Sequence, residues 1–212
     1  MRMYTPAVFS ECDPLLIADF IDAHPLATLV GVHQNKPVVD HLPFMRAGPL
    51  ATGSRLVAHL AKGNATWRQI ESNEHWLLVF TGAAAYVSPS LYPSKQQTHE
   101  VVPTYNYVSV HLAGTLRCSH AREDKLRTVE TLTNMMEARR AEPWSVNDAP
   151  SAYIERMLEG IVALEFTVEE IVAKTKASQN RLPQDQRGVL QSLSADPATK
   201  EAAAFIARRL GD

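Results

Sequence analysis

The sequence has little cysteine and no long apolar run. Its only two cysteines among 212 residues, Cys12 and Cys118, lie far apart and form no CxxC pair. This excludes a disulfide-stapled scaffold and is typical of a reducing compartment. Residues 1–14 contain acids and lack the apolar stretch of a signal peptide, and no segment has the length of a membrane span. We therefore expect a cytoplasmic protein.

The common catalytic signatures are absent as well. The sequence has no GxSxG, P-loop or GxGxxG motif, so it gives no support to a serine hydrolase, a P-loop nucleotidase or a Rossmann domain. Its eight histidines form no HExxH or Cys/His cluster, so no metal site is expected. The formal net charge of -2 gives no reason to expect strong non-specific binding to nucleic acid.

What is present is a series of short apolar runs and turn signals, followed by helical periodicity. Apolar runs bounded by turn residues predict strands at 27–32, 37–45, 55–60, 76–80, 84–87, 107–118 and 160–168. The first two are joined by a turn at Gln34-Asn35, and Gly114 is expected to form a bulge in the strand at 107–118. Capping signals and apolar spacing predict helices at 14–23, 64–71, 123–139, 151–159, 183–192 and 197–210. This order predicts an α+β fold in which an antiparallel β-barrel with inserted helices, residues 1–182, carries a C-terminal helical extension, residues 183–212.

A candidate anion site lies where the strand at 55–60 passes into a short helix. Lys62 and the capping Asn64 stand there beside backbone N–H groups, an arrangement that suits a phosphate. The alternative is an ordinary helix cap with solvated charges. Upstream, Pro43 falls within a predicted strand. A proline there leaves the preceding carbonyl, that of Leu42, without a hydrogen bond in the sheet, and this carbonyl can face a ligand.

A long connection rich in tyrosine, proline and hydroxyl groups is the most distinctive segment. It runs from Ala85 to Lys95 and continues at Val102–Tyr107, between two apolar strands. An ordinary barrel connection is a short turn, whereas aromatic walls and hydroxyls are typical of a binding loop. The alternative is an ordered surface loop packed by its own tyrosines.

A second polar segment, Lys174–Arg181, is predicted to follow the last strand. Its three cations suit a phosphate, and its Gln and Asn amides, which both donate and accept, suit the edge of a heterocycle. The alternative is a polar connection between the last strand and the next helix.

Seven motifs in a fixed order make the chain resemble a known family. They extend from Met3 to about Leu193 and read MYTPAVF, HPLATLV, DHLPF, HLAKGNATW, AYVSPSLYPSK, VPTYNYVSVH and KASQNR. The series resembles the PaiB-like, FMN-binding negative transcriptional regulators, which are similar to split β-barrels of the pyridoxamine-phosphate-oxidase type. Those barrels bind FMN at a homodimer interface. The resemblance therefore implies a split barrel, FMN as the cofactor and a homodimer.

The resemblance also implies where the cofactor binds. The phosphate is expected from His59 to Trp67, and the isoalloxazine ring against Leu42-Pro43 and against two segments, Tyr86–Tyr92 and Thr104–Asn106, that can come from the second subunit. Together with the polar segment after the last strand, the candidate cofactor-binding residues are Leu42, Pro43, His59, Ala61, Lys62, Asn64, Trp67, Tyr86, Ser88, Tyr92, Thr104, Asn106, Lys174, Ser178 and Gln179. No acid–base pair stands out, so no catalytic residue is assigned.

Three functions remain open at this point. The first is an FMN-binding homodimer that regulates transcription negatively by an unknown, redox-linked route. The second is an FMN-dependent oxidoreductase of small molecules with no direct role on DNA, and the third is a haem-binding split barrel. The C-terminal segment has a helix–turn–helix outline, but its second helix offers few base-reading side chains beyond Lys200, Arg208 and Arg209, which gives little support to direct DNA binding.

Overall fold

A computed structural model describes residues 3–72 and 75–211, and this part of the chain contains nine β-strands and seven α-helices. The strands are β1 Ser10–Glu11, β2 Leu26–His33, β3 Lys36–Pro43, β4 Met45–Arg46, β5 Arg55–Ala61, β6 His75–Thr81, β7 Ala85–Val87, β8 Thr104–Ser119 and β9 Ile161–Lys176. The helices are α1 Pro14–Ala23, α2 Thr66–Ser72, α3 Lys95–Thr98, α4 Arg122–Glu137, α5 Ser151–Glu159, α6 Pro183–Ala195 and α7 Lys200–Leu210. None of the helices in these ranges has the length and apolarity needed to cross a membrane.

The chain forms two compact units, each described by itself. Unit 1 comprises Met1–Asp13, Thr81–Val110 and Val172–Asp212, and unit 2 comprises Pro14–Phe80 and His111–Ile171. The helices α6 and α7 therefore belong to the same unit as the tyrosine-rich connection. The sequence-based boundary at residue 182 stays a prediction.

Unit 2 is built on an antiparallel sheet with the strand order β3-β2-β6-β8-β9-β5-β4. Strands β2 and β3 pair along their whole length, from Leu26↔Pro43 to His33↔Lys36. Their turn, Gln34-Asn35, has positive φ at both residues, 50° and 59°. This is the backbone conformation that lets a two-residue turn follow the twist of its strands, and it confirms the turn predicted there.

The core of unit 2 comes from the alternation of buried and less buried residues along its strands. In β5 the buried positions are Leu56, Ala58 and Leu60, and the residues between them are more exposed. At Gly114 a Cβ atom would lie 2.0 Å from the Thr167 main-chain oxygen. The strand β8 therefore needs glycine there because the backbone of β9 passes so close. Strand β8 continues through Gly114 to Ser119, and the bulge expected at Gly114 stays a prediction.

Unit 1 contains two short strand pairs and a helical pair. Strand β1 pairs with the end of β9, with Ser10 opposite Lys174, and β7 pairs with the start of β8. The core of the unit packs β7 and the residue after β9 against the C-terminal helices, through Ala85, Val87, Tyr92, Ala177, Val189, Leu193, Ala202, Ala203 and Ile206.

The structure confirms the antiparallel sheet with helices, corrects one local prediction and adds two short strands. The segment starting at Lys174 does not follow the last strand, because β9 continues to Lys176 and its end pairs with β1. The two-residue strands β1 and β4 were not predicted, since two residues carry no periodicity.

Candidate functional site

The segment that follows β5 is shaped by hydrogen bonds around a capping asparagine. The N–H of Asn64 donates to the Ala61 oxygen at 2.8 Å, and Asn64 Oδ1 accepts the N–H of Thr66 at 3.0 Å. The second bond satisfies a donor at the first residue of α2, as expected of a cap. Lys62 is exposed, and a Cβ added at Gly63 would meet nothing within 4 Å. The cationic side chain of Lys62 and the sterically open backbone of Gly63 therefore lie next to each other at the end of β5.

Asp40 on β3 fixes this segment from another part of the chain. Its Oδ2 accepts from Asn64 Nδ2 at 2.5 Å and from Thr66 Oγ1 at 3.3 Å. Its Oδ1 accepts the N–H of His41 at 2.8 Å. Two of the sequence motifs, DHLPF and HLAKGNATW, are thus joined by one carboxylate. Sequence reasoning gave Asp40 no role, although its place at the start of the DHLPF motif was a signal that could have found it.

His59 supplies a buried polar atom close to the same segment. Its Nδ1 has no hydrogen-bond partner among the described residues. Burial lowers the pKa of His59 below its ordinary value of 6.5, so the ring is neutral at neutral pH. His111 on β8 shares both properties. A buried nitrogen without a partner costs free energy that a bound ligand can recover.

Trp67 lies on the first turn of α2 and is packed by its neighbours. Its Nε1 donates to the Lys62 oxygen at 3.0 Å. The Arg68 guanidinium lies 4.4 Å from the centre of the Trp67 ring, and the His120 ring meets it edge-on at 5.1 Å. Trp67 therefore holds the main chain of the candidate anion segment in place.

Leu42, Pro43 and Ala61 occupy different surfaces of unit 2. The Leu42 side chain is only 8% exposed and belongs to the hydrophobic core, so it offers no side-chain surface to a ligand. Pro43, the next residue of β3, is half-buried on the opposite face. Ala61 is exposed at the end of β5.

In unit 1 the candidate tyrosines divide into an exposed and a buried set. Tyr86 and Tyr105 lie opposite each other on β7 and β8, are 52% and 56% exposed, and pack edge to face with ring centres 5.6 Å apart. They supply an accessible aromatic wall. Tyr92 is 2% exposed and belongs to the core, with the Arg181 guanidinium 5.0 Å from its ring centre. Ser88 Oγ accepts the N–H of Ser90 at 3.3 Å and begins a short 3-10 helix.

The remaining polar candidates of unit 1 have partners inside the unit. Asn106 Nδ2 donates to Ser178 Oγ at 2.9 Å, and Ser178 has a left-handed φ of 61°. Lys176 Nζ donates to Thr104 Oγ1. Gln179 Oε1 accepts from the Ala177 N–H at 2.6 Å, and its Nε2 donates to the Thr175 oxygen at 2.5 Å. Lys174 Nζ donates to the Tyr4 oxygen at 3.2 Å. That these residues contact the cofactor stays a prediction.

Comparison with known proteins decides the family. The chain matches the family described as “Putative FMN-binding domain” over residues 3–170. The protein belongs to this FMN-binding family. It is also 33% identical over 213 residues to “Protease synthase and sporulation protein PAI 2” of Bacillus subtilis (strain 168), with 98% of each chain covered. An uncharacterized protein of Emericella nidulans is 27% identical over 223 residues, or 89% of each chain. The predicted PaiB-like family and FMN as its cofactor are thereby confirmed.

Solved structures of flavoproteins share the fold of this FMN-binding protein. The FAD and heme binding protein from Mycobacterium smegmatis superposes with a TM-score of 0.58 at 20% identity, covering 79% of this chain and 73% of that one. The flavocytochrome Anf3 from Azotobacter vinelandii gives 0.55 at 15% identity, covering 79% and 69%. At these identities the likeness concerns the fold, and it confirms the predicted split β-barrel.

The residues at the end of β5 fit FMN. Lys62 offers a cation to the phosphate, Gly63 leaves room beside the backbone, and the unpartnered Nδ1 of His59 is suited to a polar atom of the cofactor. When bound, FMN supplies the redox chemistry of its ring. These residues would bind and orient it. Asp40 holds their segment through its bonds to Asn64 and Thr66, and the contact of the segment with FMN stays a prediction.

Proposed function

We propose that the protein is an FMN-binding homodimer of the cytoplasm that regulates transcription negatively. The observation that carries the proposal is similarity to PAI 2 along nearly the whole of both chains, together with the seven PaiB-like motifs. The two cysteines are free thiols, which is consistent with a reducing compartment.

In this proposal FMN binds with its phosphate at Lys62, Gly63 and Asn64, and His59 provides a neutral hydrogen-bonding partner. The test is the absorption spectrum of the purified protein, followed by release of the cofactor with heat and its identification by chromatography. Released FMN, together with weaker FMN binding by Lys62→Ala, supports the site. A protein that neither carries nor takes up FMN would overturn the proposal.

Regulation acts indirectly in this proposal, through a partner or through the flavin's redox state. The exposed positions of α7 are Lys200, Glu201, Ala204 and Arg208, a nearly charge-balanced set with little capacity to read bases. We expect no shift of DNA from upstream of the protein's own gene in a gel at low salt, with oxidised or reduced flavin. A shift of the DNA band that weakens steeply as the salt concentration rises would show direct DNA binding and contradict the indirect route.

The homodimer is supported by an apolar surface on the β2–β3 hairpin. Leu26, Val32 and Val39 project from its outer face and are 61%, 57% and 54% exposed. Large exposed apolar side chains grouped on one face are typical of an interaction surface, and a two-fold dimer is the commonest assembly of soluble proteins. We expect a dimer by sedimentation and a monomer for Val39→Asp, with Lys36→Asp, on the same strand, as the control. A monomeric wild-type protein would contradict this part of the proposal.

A further inference from the structure

Two lysines near the end of β9 stand on one face of the strand without an acidic partner. Lys174 and Lys176 are two residues apart, so their side chains point the same way and their backbones lie about 6.6 Å apart. Lys174 is 8% exposed and Lys176 is half-buried. Two like charges are thus carried at neighbouring positions of one strand face, one of them buried and the other half-buried.

Carbonyl and aromatic groups take the place of a counter-ion. Lys174 Nζ donates to the Tyr4 oxygen at 3.2 Å and lies 5.7 Å and 5.2 Å from the ring centres of Tyr4 and Tyr107. Lys176 Nζ lies 5.9 Å from the Phe9 ring centre. Residues of the N-terminal segment, Tyr4 and Phe9, therefore pack beside both ammonium groups. Cation–π contacts and a single carbonyl compensate a buried ammonium only in part.

No carboxylate of unit 1, as far as Leu210, neutralises the pair. Neither lysine forms an ion pair with any carboxylate in the described part of the chain. The two least exposed acids of the unit are engaged elsewhere: Glu11 Oε2 pairs with Arg209 Nε at 3.3 Å, and Asp185 Oδ2 accepts from Ser94 Oγ at 2.8 Å. Because an unpaired buried charge is costly, an anion from outside the chain would lower the free energy of this pair.

The structure assigns Lys174 and Lys176 to a phosphate-binding site of unit 1. A phosphate carries up to two negative charges near neutral pH and three acceptor oxygens. Two ammonium groups match this charge and can donate a hydrogen bond to each of the three oxygens. The Thr104 hydroxyl, already in contact with Lys176, adds a polar group at the site. The phosphate belongs either to a free phosphorylated molecule or to FMN itself. The second source would replace Lys62 by these two lysines as the partners of the FMN phosphate, and the two sources are separable by experiment.

The first experiment uses the FMN-free protein, so it does not depend on the proposed flavin function. Binding of inorganic phosphate and pyrophosphate is measured by calorimetry at constant ionic strength for the wild type, Lys174→Met, Lys176→Met and Lys176→Arg. We expect saturable binding that both Met variants weaken at least about tenfold and that Lys176→Arg retains. Lys200→Met, which removes an exposed lysine of the same unit, is the control and should bind as the wild type does.

The second experiment asks whether the phosphate is that of FMN, and this step rests on the proposed FMN binding. FMN and riboflavin, which lacks the phosphate, are titrated into the same variants. If the lysines bind the cofactor, the Met variants weaken FMN binding and leave riboflavin binding unchanged. If the lysines bind a free phosphorylated molecule, the Met variants bind both flavins as the wild type does, and only their calorimetric binding of phosphate and pyrophosphate is weaker.

The inference is overturned if the Met variants alter neither phosphate nor FMN binding, or if Lys200→Met has the same effect. Circular dichroism and thermal melting show whether each variant folds. Removing an uncompensated buried cation should raise the melting temperature of ligand-free Lys174→Met and abolish its further rise with pyrophosphate. A Lys176→Met protein, altered at the more exposed position, keeps the test valid if Lys174→Met does not fold.

Discussion

Replacing Asp40 with alanine removes the carboxylate that holds the segment after β5. Asp40 Oδ2 accepts two side-chain hydrogen bonds, from Asn64 and Thr66. Hydrogen bonds to a charged group contribute roughly 1.5–3 kcal/mol each, and the low end applies because Asp40 and Asn64 are only partly buried. The loss is therefore about 3 kcal/mol, which for a chain of this length lowers Tm by about 6–12 °C.

The same change should weaken FMN binding. If the whole of the lost free energy is expressed in binding, about 3 kcal/mol corresponds to roughly a hundredfold increase in Kd, so we expect an increase between about tenfold and a hundredfold. Quenching of FMN fluorescence gives Kd, and a thermal scan of the FMN-free protein gives Tm. Asp40→Asn keeps one acceptor oxygen and should fall between the wild type and Asp40→Ala.

Asp148 offers a matched control for Asp40. Its Oδ2 accepts the Ser145 N–H at 2.7 Å, so Asp148→Ala also removes a carboxylate–N–H bond, at a different turn of unit 2. We expect a small decrease in Tm and an unchanged Kd for FMN. An Asp40→Ala protein with the wild-type Tm and Kd would refute the reasoning, because it would show that the hydrogen bonds do not hold the segment.

Three further predictions follow from local environments. Burial lowers the pKa of His59 from 6.5, so the free energy of unfolding should be level above pH 6.5 and fall as the pH drops below it; urea titrations of wild type and His59→Gln, whose profile should be flatter, check this. Burial, assisted by a nearby glutamate, raises the pKa of Cys118 to about 12, so iodoacetamide at pH 8 should label the exposed Cys12 first, and Cys12→Ser should remove the fast phase. Gly114→Ala should prevent folding or lower Tm strongly, as seen by circular dichroism, whereas Gly48→Ala, with nothing near its Cβ, should melt like the wild type.

Local patterns predicted much of the secondary structure and the chemical character of the candidate site. The Gln34-Asn35 turn and the Asn64 cap were readable because a few adjacent residues determine them. The contact of Asp40 with Asn64 joins residues 24 positions apart, and no short-range periodicity encodes such a pairing. The end of β9 was misjudged because Lys174 and its polar neighbours resemble a loop, and pairing with β1 outweighs that local preference.

The tyrosine-rich connection between β7 and β8 is fixed at both ends and near its middle. Its ends are closed by the pairing of Ala85–Val87 with Thr104–Asn106, and near its middle the Ser94 N–H and Oγ donate to the buried Asp185 carboxylate at 3.0 Å and 2.8 Å. Gly188 lets the chain pass close, since a Cβ there would lie 2.5 Å from the Leu91 oxygen. To swing away, the connection would have to break these buried bonds together, a local unfolding event slower than the nanosecond motion of a free loop. The connection is therefore a fixed part of unit 1, and if a ligand binds beside it, the rate of binding should not depend on its opening.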